Sequence, residues 1–366
     1  MPYDDPSLSE LRGYFKAKEP GKRARAEAWA MAIGLQKVDG LSVSRYLVET
    51  AKAHIEGWIT QAQAKRRIHD YYEAKDERHK PDPEQREPDK VSERIAAVIN
   101  EAGFAFTPEY FISIHAKLFK GVIASAGKLR TDNFRKHEWV LKEDSVTYGD
   151  KATLKASLVR NFLDEKEFDY GTHSVAQMIP HFARFIAQIW QVHPFAEGNT
   201  RTTAVFAIKY LRSLGHRVTN NIFVENSWYF RNALVRANYA DYGKNVKRDW
   251  SYLEAFFRNL LLGEKNELKS RYLLIGIDRL PPRFDNGDAV KVVRKSGKKK
   301  AVRKCGKKTV DKVWELLRDQ PHLTFDGMVA ALGITRSTVQ KHIANLKKAG
   351  RLRRVGPDKG GHWAVE

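Results

Sequence analysis

The stretch His193-Pro194-Phe195-Ala196-Glu197-Gly198-Asn199-Thr200-Arg201 separates two apolar helical segments, one ending near Gln191 and one running on from about Thr202. A loop that opens a helix exposes backbone N–H groups beside the positive end of the helix dipole, and Gly198 lets that backbone come close to a ligand. This is the chemistry of an anion site. Asn199 adds an amide donor, Arg201 a permanent cation whose planar fork suits phosphate, and Glu197 a hard oxygen ligand of the kind Mg²⁺ takes when it bridges phosphates. His193 is the one group in the stretch able to take a proton near neutral pH. Base, metal ligand, phosphate nest and guanidinium in one short run point to transfer of a phosphorus-centred group to a hydroxyl. The plainer alternatives are a histidine that only caps a helix and a carboxylate placed at 197 for the dipole alone.

Outward from this loop the chain is mainly helical. VSERIAAVINEA, PEYFISIHAKLFKGVIASAG, HSVAQMIPHFARFIAQIWQV, TRTTAVFAIKYLRSLG and SWYFRNALVRANYA each carry a continuous apolar stripe. EWVLKEDSVTYG reads as a hairpin, two β-prone runs about Lys142 to Asp144. Before this block lie helices in AEAWAMAIGLQ, SVSRYLVETAKAHIEGWI and TQAQAKRRIHDYYEAK. Residues 77–92, with three prolines among charges, predict a solvent-exposed connection. No internal repeat is visible.

Beyond residue 280 the composition changes. Residues 291–366 hold 20 Lys and Arg against 6 Asp and Glu, so +14 of the chain's +21 sits in its last fifth. Such a block suits a polyanion, because each neutralised phosphate releases condensed counterions. Lysine runs mark 281–308 as a linker; then TVDKVWELLRDQ, LTFDGMVAALG and ITRSTVQKHIANLKKAGR predict three helices, and RLRRVGPDKGGHWAVE alternates about a Gly/Pro tip. That order is a winged helix-turn-helix. Thr335, Arg336, Ser337, Gln340 and Lys341 open its recognition helix, and Arg353 and Arg354 flank the wing. DNA is the expected partner of this end, against a winged helix that docks protein.

With 366 residues, 42% of them hydrophobic and 30% charged, the chain has cores for more than one domain and is neither disordered nor fibrous. It shows no apolar run of the roughly 18 residues a membrane helix needs, and its first ten residues are acidic and polar, so a cytoplasmic protein without membrane contact is expected. The lone Cys305, inside a lysine run, excludes an intrachain disulfide and a cysteine zinc cluster.

The loop resembles the signature of the Fic family, HPFx(D/E)GNxR, matched here by His193, Pro194, Phe195, Glu197, Gly198, Asn199 and Arg201. The likeness extends over roughly 95–265, through AGKLRTDNF, the 138–149 hairpin in the place of the family's target-positioning flap, and YFRNAL. The resemblance implies a Fic-type helical core with a small β-hairpin flap, and transfer of AMP from ATP to a Ser, Thr or Tyr hydroxyl of a protein, the chain itself included, with Mg²⁺ as cofactor. His193 would be the base and Glu197 the metal ligand. Gly198, Asn199, Thr200 and Arg201 would hold the phosphates, and Tyr229 and Asn232 the adenosine side. The implied layout is 1–90 an antitoxin-like helical segment, 91–275 the catalytic domain, 276–308 a basic linker and 309–366 the winged helix; a homodimer is left open.

Two departures from the family pattern stand out. A second arginine three residues after the first is replaced by Ala204, and the inhibitory motif (S/T)xxxE(G/N) survives only as LQKVDG, ending in Asp39, and KAHIEG, with Glu56. With the second arginine gone, Asp39 is expected to meet no cation, and autoinhibition to be weak. The alternative function is a nucleotide-sensing transcriptional regulator with little or no transfer.

Overall fold

The computed structural model describes residues 6–74, 81–218, 221–276, 282, 284, 313, 314, 316–318, 324, 325, 328, 329, 336–348, 350–355 and 362–365. Two compact units divide the chain, Met1–Ala289 and Val290–Glu366.

The first unit is helical, and its elements follow the apolar stripes of the sequence: α1 Pro6–Arg12, α2 Pro20–Gln36, α3 Arg45–Glu56, α4 Gln61–Glu73, α5 Pro83–Asn100, α6 Pro108–Phe119, α7 Leu154–Lys166, α8 Val175–Val192, α9 Asn199–Ser213, α10 Asn221–Asn238 and α11 Ser251–Leu262. Helix α9 is the buried rod: from Ala204 to Ile208 every residue is fully inside. Around it stack Phe104, Phe106, Phe111, Phe162 and Phe185, ring against ring at centroid spacings typical of aromatic clusters.

Helix α2 reaches this core through one close approach. A Cβ on Gly34 would lie 2.7 Å from Val224 Cα, and Ser227 Oγ donates to Gly34 O at 2.8 Å. Only a glycine lets α2 and α10 touch backbone to backbone here. The short 3₁₀ turn Lys37–Asp39 that ends α2 is thereby held beside α10, closed by Gly40 at φ 72°.

Two sequence expectations fail in this unit. Of the connection expected over 77–92, residues 77–80 lie outside the described residues and 83–92 are the start of α5, buried from Pro88 on: Asp82 caps it by accepting from Glu84 N at 2.9 Å, and Pro83 takes the first helical position, where no N–H is needed. Asp89 is fully buried, accepting from Ser44 N at 2.8 Å and from Tyr72 OH at 2.7 Å, so the charges that suggested solvent are partnered inside. Residues 138–149 reverse direction at Lys142 and Glu143, both left-handed, but form no strand pair. Val140 and Leu141 are buried one after the other in a 3₁₀ turn, and Val140 O accepts from Ile275 N at 2.9 Å. Neighbouring buried residues cannot share the alternating face of a strand.

In the second unit the helix Arg336–Lys348 precedes β1 (Leu352–Val355) and β2 (His362–Val365), paired antiparallel with Arg353 opposite Ala364. Val313, Leu317, Met328, Val339, Ile343, Leu346, Leu352 and Trp363 form its core. Thr335 and Cys305 lie outside the described residues, as do the side chains of Arg336, Ser337, Lys341 and Arg354; Gln340 and Arg353 are exposed. Among the described residues no helix is long and apolar enough to cross a membrane.

Candidate active site

Helix α8 begins in a capping box, Ser174 with Gln177, and stops because His193 turns left-handed, φ 48° and ψ 57°. Helix α9 begins after Gly198, left-handed at φ 73°. The six residues between are tied from within by Asn199, whose Oδ1 accepts from Phe195 N at 3.0 Å and whose Nδ2 donates to Phe195 O at 2.7 Å. Its amide therefore closes the loop. A Cβ on Gly198 would come within 2.4 Å of the Phe119 ring, so this glycine serves close packing on Phe119 as well as its positive φ. Thr200 Oγ1 accepts from Trp190 Nε1 at 3.0 Å.

Two further side chains hold the loop from outside, and neither was singled out from the sequence. Arg130, buried, donates from Nε to His193 O at 2.8 Å, from Nη1 to Asp132 O at 2.6 Å and from Nη2 to Gly149 O, while its own N–H donates to Pro194 O at 2.8 Å. His115 stacks on Phe195 at 3.7 Å. Its Nδ1 accepts from Gly127 N at 2.8 Å, so the proton sits on Nε2, which donates to Glu197 O at 3.1 Å. Burial lowers its pKa to about 4 and keeps that neutral tautomer. Arg130 lies within AGKLRTDNF but its role is not legible there, and no local signal marks His115, because their partners in the loop are backbone carbonyls far along the chain.

The loop opens on a cavity of about 520 Å³, in the range of small-molecule sites. His193, Glu197, Gly198, Asn199, Thr200 and Arg201 line one side, and Asp39, Glu87, Lys136, Glu138, Trp228 and Arg231 are among those lining the rest. His193 is buried against the Tyr148 ring, 4.1 Å away. Its Nδ1 faces Trp190 O at 3.3 Å; a carbonyl only accepts, so Nδ1 carries the proton and Nε2 keeps its lone pair. Burial, then the charge of Lys136, pushes its pKa down to about 3. Glu197 is exposed on the cavity wall, and its carboxylate makes no hydrogen bond or ion pair among the described residues.

Residues 105–211 match the model of the Fic/DOC family. Its members are in general transferases, and the match covers α6 through most of α9 with the whole 193–201 loop. The chain also aligns with the crystal structure of a Fic family protein from Desulfovibrio desulfuricans G20, at 13% identity and a TM-score of 0.42, over 99% of this chain and 94% of that one. No curated protein matches. Outside the Fic/DOC match lie Asp39, Glu87, Trp228 and Arg231, so part of the cavity wall comes from the flanking segments.

The pair that the resemblance gave to the adenosine side is not among the residues lining the cavity. Tyr229 is buried and donates its hydroxyl to Tyr252 O at 3.1 Å, and Asn232 is fully buried with neither amide atom partnered. Trp228 and Arg231, one position earlier on α10, line the cavity instead. The helix is broken at Asn226 (φ −128°, ψ 25°), just ahead of these residues. Arg231 pairs with the fully buried Glu138 at 2.7 Å.

The expectation that Asp39 meets no cation is overturned by Arg201 itself. Asp39 Oδ2 lies 2.9 Å from Arg201 Nε, Glu87 Oε1 accepts from Nη2 at 2.7 Å, and Gln36 Oε1 accepts from Nη1 at 2.9 Å. The Asp39 contact is a charge pairing without an aligned hydrogen bond, since Nε does not aim at the oxygen. Phe119 covers the guanidinium face at 4.8 Å. Glu56 stands elsewhere, paired with Lys22 at 2.5 Å. Ala204 is fully buried.

Proposed function

We propose that the chain transfers AMP from ATP to a Ser, Thr or Tyr hydroxyl of a protein, from a state in which Asp39 and Glu87 restrain Arg201. The observation that carries this reading is that His193, Glu197 and the α9 N-terminus line one cavity of nucleotide size. In it, His193 Nε2 takes the proton of the target hydroxyl as that oxygen bonds to the α-phosphorus; the bond to the bridging oxygen breaks and pyrophosphate leaves with the electron pair. Phosphate charge entering the cavity raises the imidazole pKa from its depressed value towards the range in which a base works best.

The amides ahead of Thr202 N, the first that bonds back to Gly198 O, at 3.0 Å, donate to phosphate oxygens, and Arg201, once released, offsets charge on the pyrophosphate. No group of three His, Cys, Asp or Glu able to hold a metal occurs among the described residues, which fits Mg²⁺ held through Glu197 together with the phosphates. Mg²⁺ there would neutralise phosphate charge. The loop 136–149 would position the target segment. We further propose that 309–366 is a winged helix that binds DNA through its basic surface, with 276–308 as linker, 91–275 the catalytic domain and 1–90 the restraining segment.

The test is incubation of the protein with Mg²⁺ and ATP labelled at the α- or the γ-phosphate. Label from the α position alone, lost in His193→Ala, is the expected result. Label from γ alone would reverse the donor chemistry, and tight ATP binding without transfer, in the Asp39→Ala variant too, would leave the sensing regulator as the function.

A further inference from the structure

The described residues lining the cavity include three permanent cations, Lys136, Arg201 and Arg231, and four carboxylates, Asp39, Glu87, Glu138 and Glu197. Two of the cations are engaged. Arg201 meets Asp39 and Glu87, and Arg231 meets Glu138. Lys136 is different. It lies between Arg130, which grips the loop carbonyls, and Glu138; its backbone N–H donates to Ser145 Oγ at 3.1 Å and fixes where the side chain starts. The side chain is exposed, and its ammonium makes no hydrogen bond and no ion pair among the described residues. It lines the same cavity as His193, and its charge helps to hold the imidazole pKa down.

An anion entering this cavity finds the α9 N-terminus on one side and needs an opposing donor that no acid already holds. We propose that Lys136 is that donor and contacts a phosphate oxygen of the bound nucleotide beside His193, as a catalytic residue of the reaction. This inference rests on the nucleotide reading of the site. An ammonium on a four-carbon stem reaches a phosphate as a point charge and needs no fixed fork geometry, which suits an exposed position in a loop. Where Arg201 is held by carboxylates, Lys136 also gives the phosphate chain its first cation.

Binding is measured by calorimetry with ATP and with adenosine, on chains carrying Asp39→Ala to release Arg201 and His193→Ala to block transfer. Adding Lys136→Gln is expected to weaken ATP roughly tenfold, a loss of one charge-assisted contact, and to leave adenosine unchanged. Lys136→Arg is expected to restore most of the ATP affinity. In the chain with His193 intact, Lys136→Gln lowers kcat/KM for label transfer by at least the same factor. Equal ATP affinity with and without Lys136→Gln overturns the inference while the nucleotide reading stands. A fall in ATP and adenosine affinity together overturns it as well, as a loss of shape. If the chain with Lys136 intact binds no ATP, the nucleotide reading itself fails and takes this inference with it.

Discussion

Asp39 Oδ2 lies 2.9 Å from Arg201 Nε, and Glu87 takes another corner of the same guanidinium, at 2.7 Å. One carboxylate comes from the turn that ends α2 and the other from α5, so two N-terminal helices converge on the one arginine of the loop. Releasing either should raise label transfer. Asp39→Ala and Glu87→Gln are each expected to increase the initial rate severalfold, and the double variant by more. Rates equal to those of the unmodified chain in all three would remove the restraint from the account.

The same clamp has a stability signature. Asp39 and Glu87 are a quarter to a third exposed, while Arg201 is almost fully buried. Each single change should cost only about 1 kcal/mol, because solvent screens the carboxylate and the other acid remains. The double change leaves a buried guanidinium with Gln36 alone and should cost more than the sum, by about 1–2 kcal/mol. Urea midpoints of the four proteins give this coupling directly.

Burial holds His193 near a pKa of about 3, far below an unfolded imidazole. The unfolded chain then binds one more proton than the folded one in the window from roughly pH 6.5 down to 3, so stability falls as pH drops through it, by up to about 1.4 kcal/mol per unit. Replacing His193 with Gln should reduce the slope of unfolding free energy against pH by about one proton between pH 4 and 6. An unchanged slope would mean that the imidazole is not buried neutral.

Arg130 donates to three carbonyls, two of which, His193 and Gly149, belong to the loop and to the segment facing it. Lysine keeps the charge but cannot reach all three. Arg130→Lys is expected to lower kcat by about tenfold or more with KM for ATP little changed, since the base is misplaced and the phosphate site is not. Arg130→Ala should also cost about 2–4 kcal/mol in stability, from buried carbonyls left without donors. A KM effect with normal kcat would place Arg130 elsewhere in the reaction.

Gly198→Ala meets two obstacles, a left-handed backbone and the Phe119 ring. The first costs about 1–2 kcal/mol in any context, and the second adds overpacking. Trimming Phe119 to Leu should recover part of the second term and none of the first. Denaturation of the two single variants and the double separates them.

The sequence by itself determined that the first unit is helical, because apolar residues at spacings of three and four must share a buried face wherever the chain goes. It also determined the loop chemistry of His193, Glu197, Gly198 and Arg201, since those residues lie within one turn-and-helix start. Tertiary structure decided the rest. Asp89 looked solvated because a charge buried by distant Ser44 and Tyr72 leaves no local trace. The 138–149 turn resisted strand pairing because Val140 and Leu141 are both drawn into the core. Trp228 and Arg231 replaced Tyr229 and Asn232 because the packing of α10 turns Tyr229 onto Tyr252 and buries Asn232. Most of all, the pairing of Arg201 with Asp39 and Glu87 joins residues 162 and 114 positions apart, and only the backbone contact of α2 on α10 at Gly34 and the course of α5 bring those charges within 3 Å.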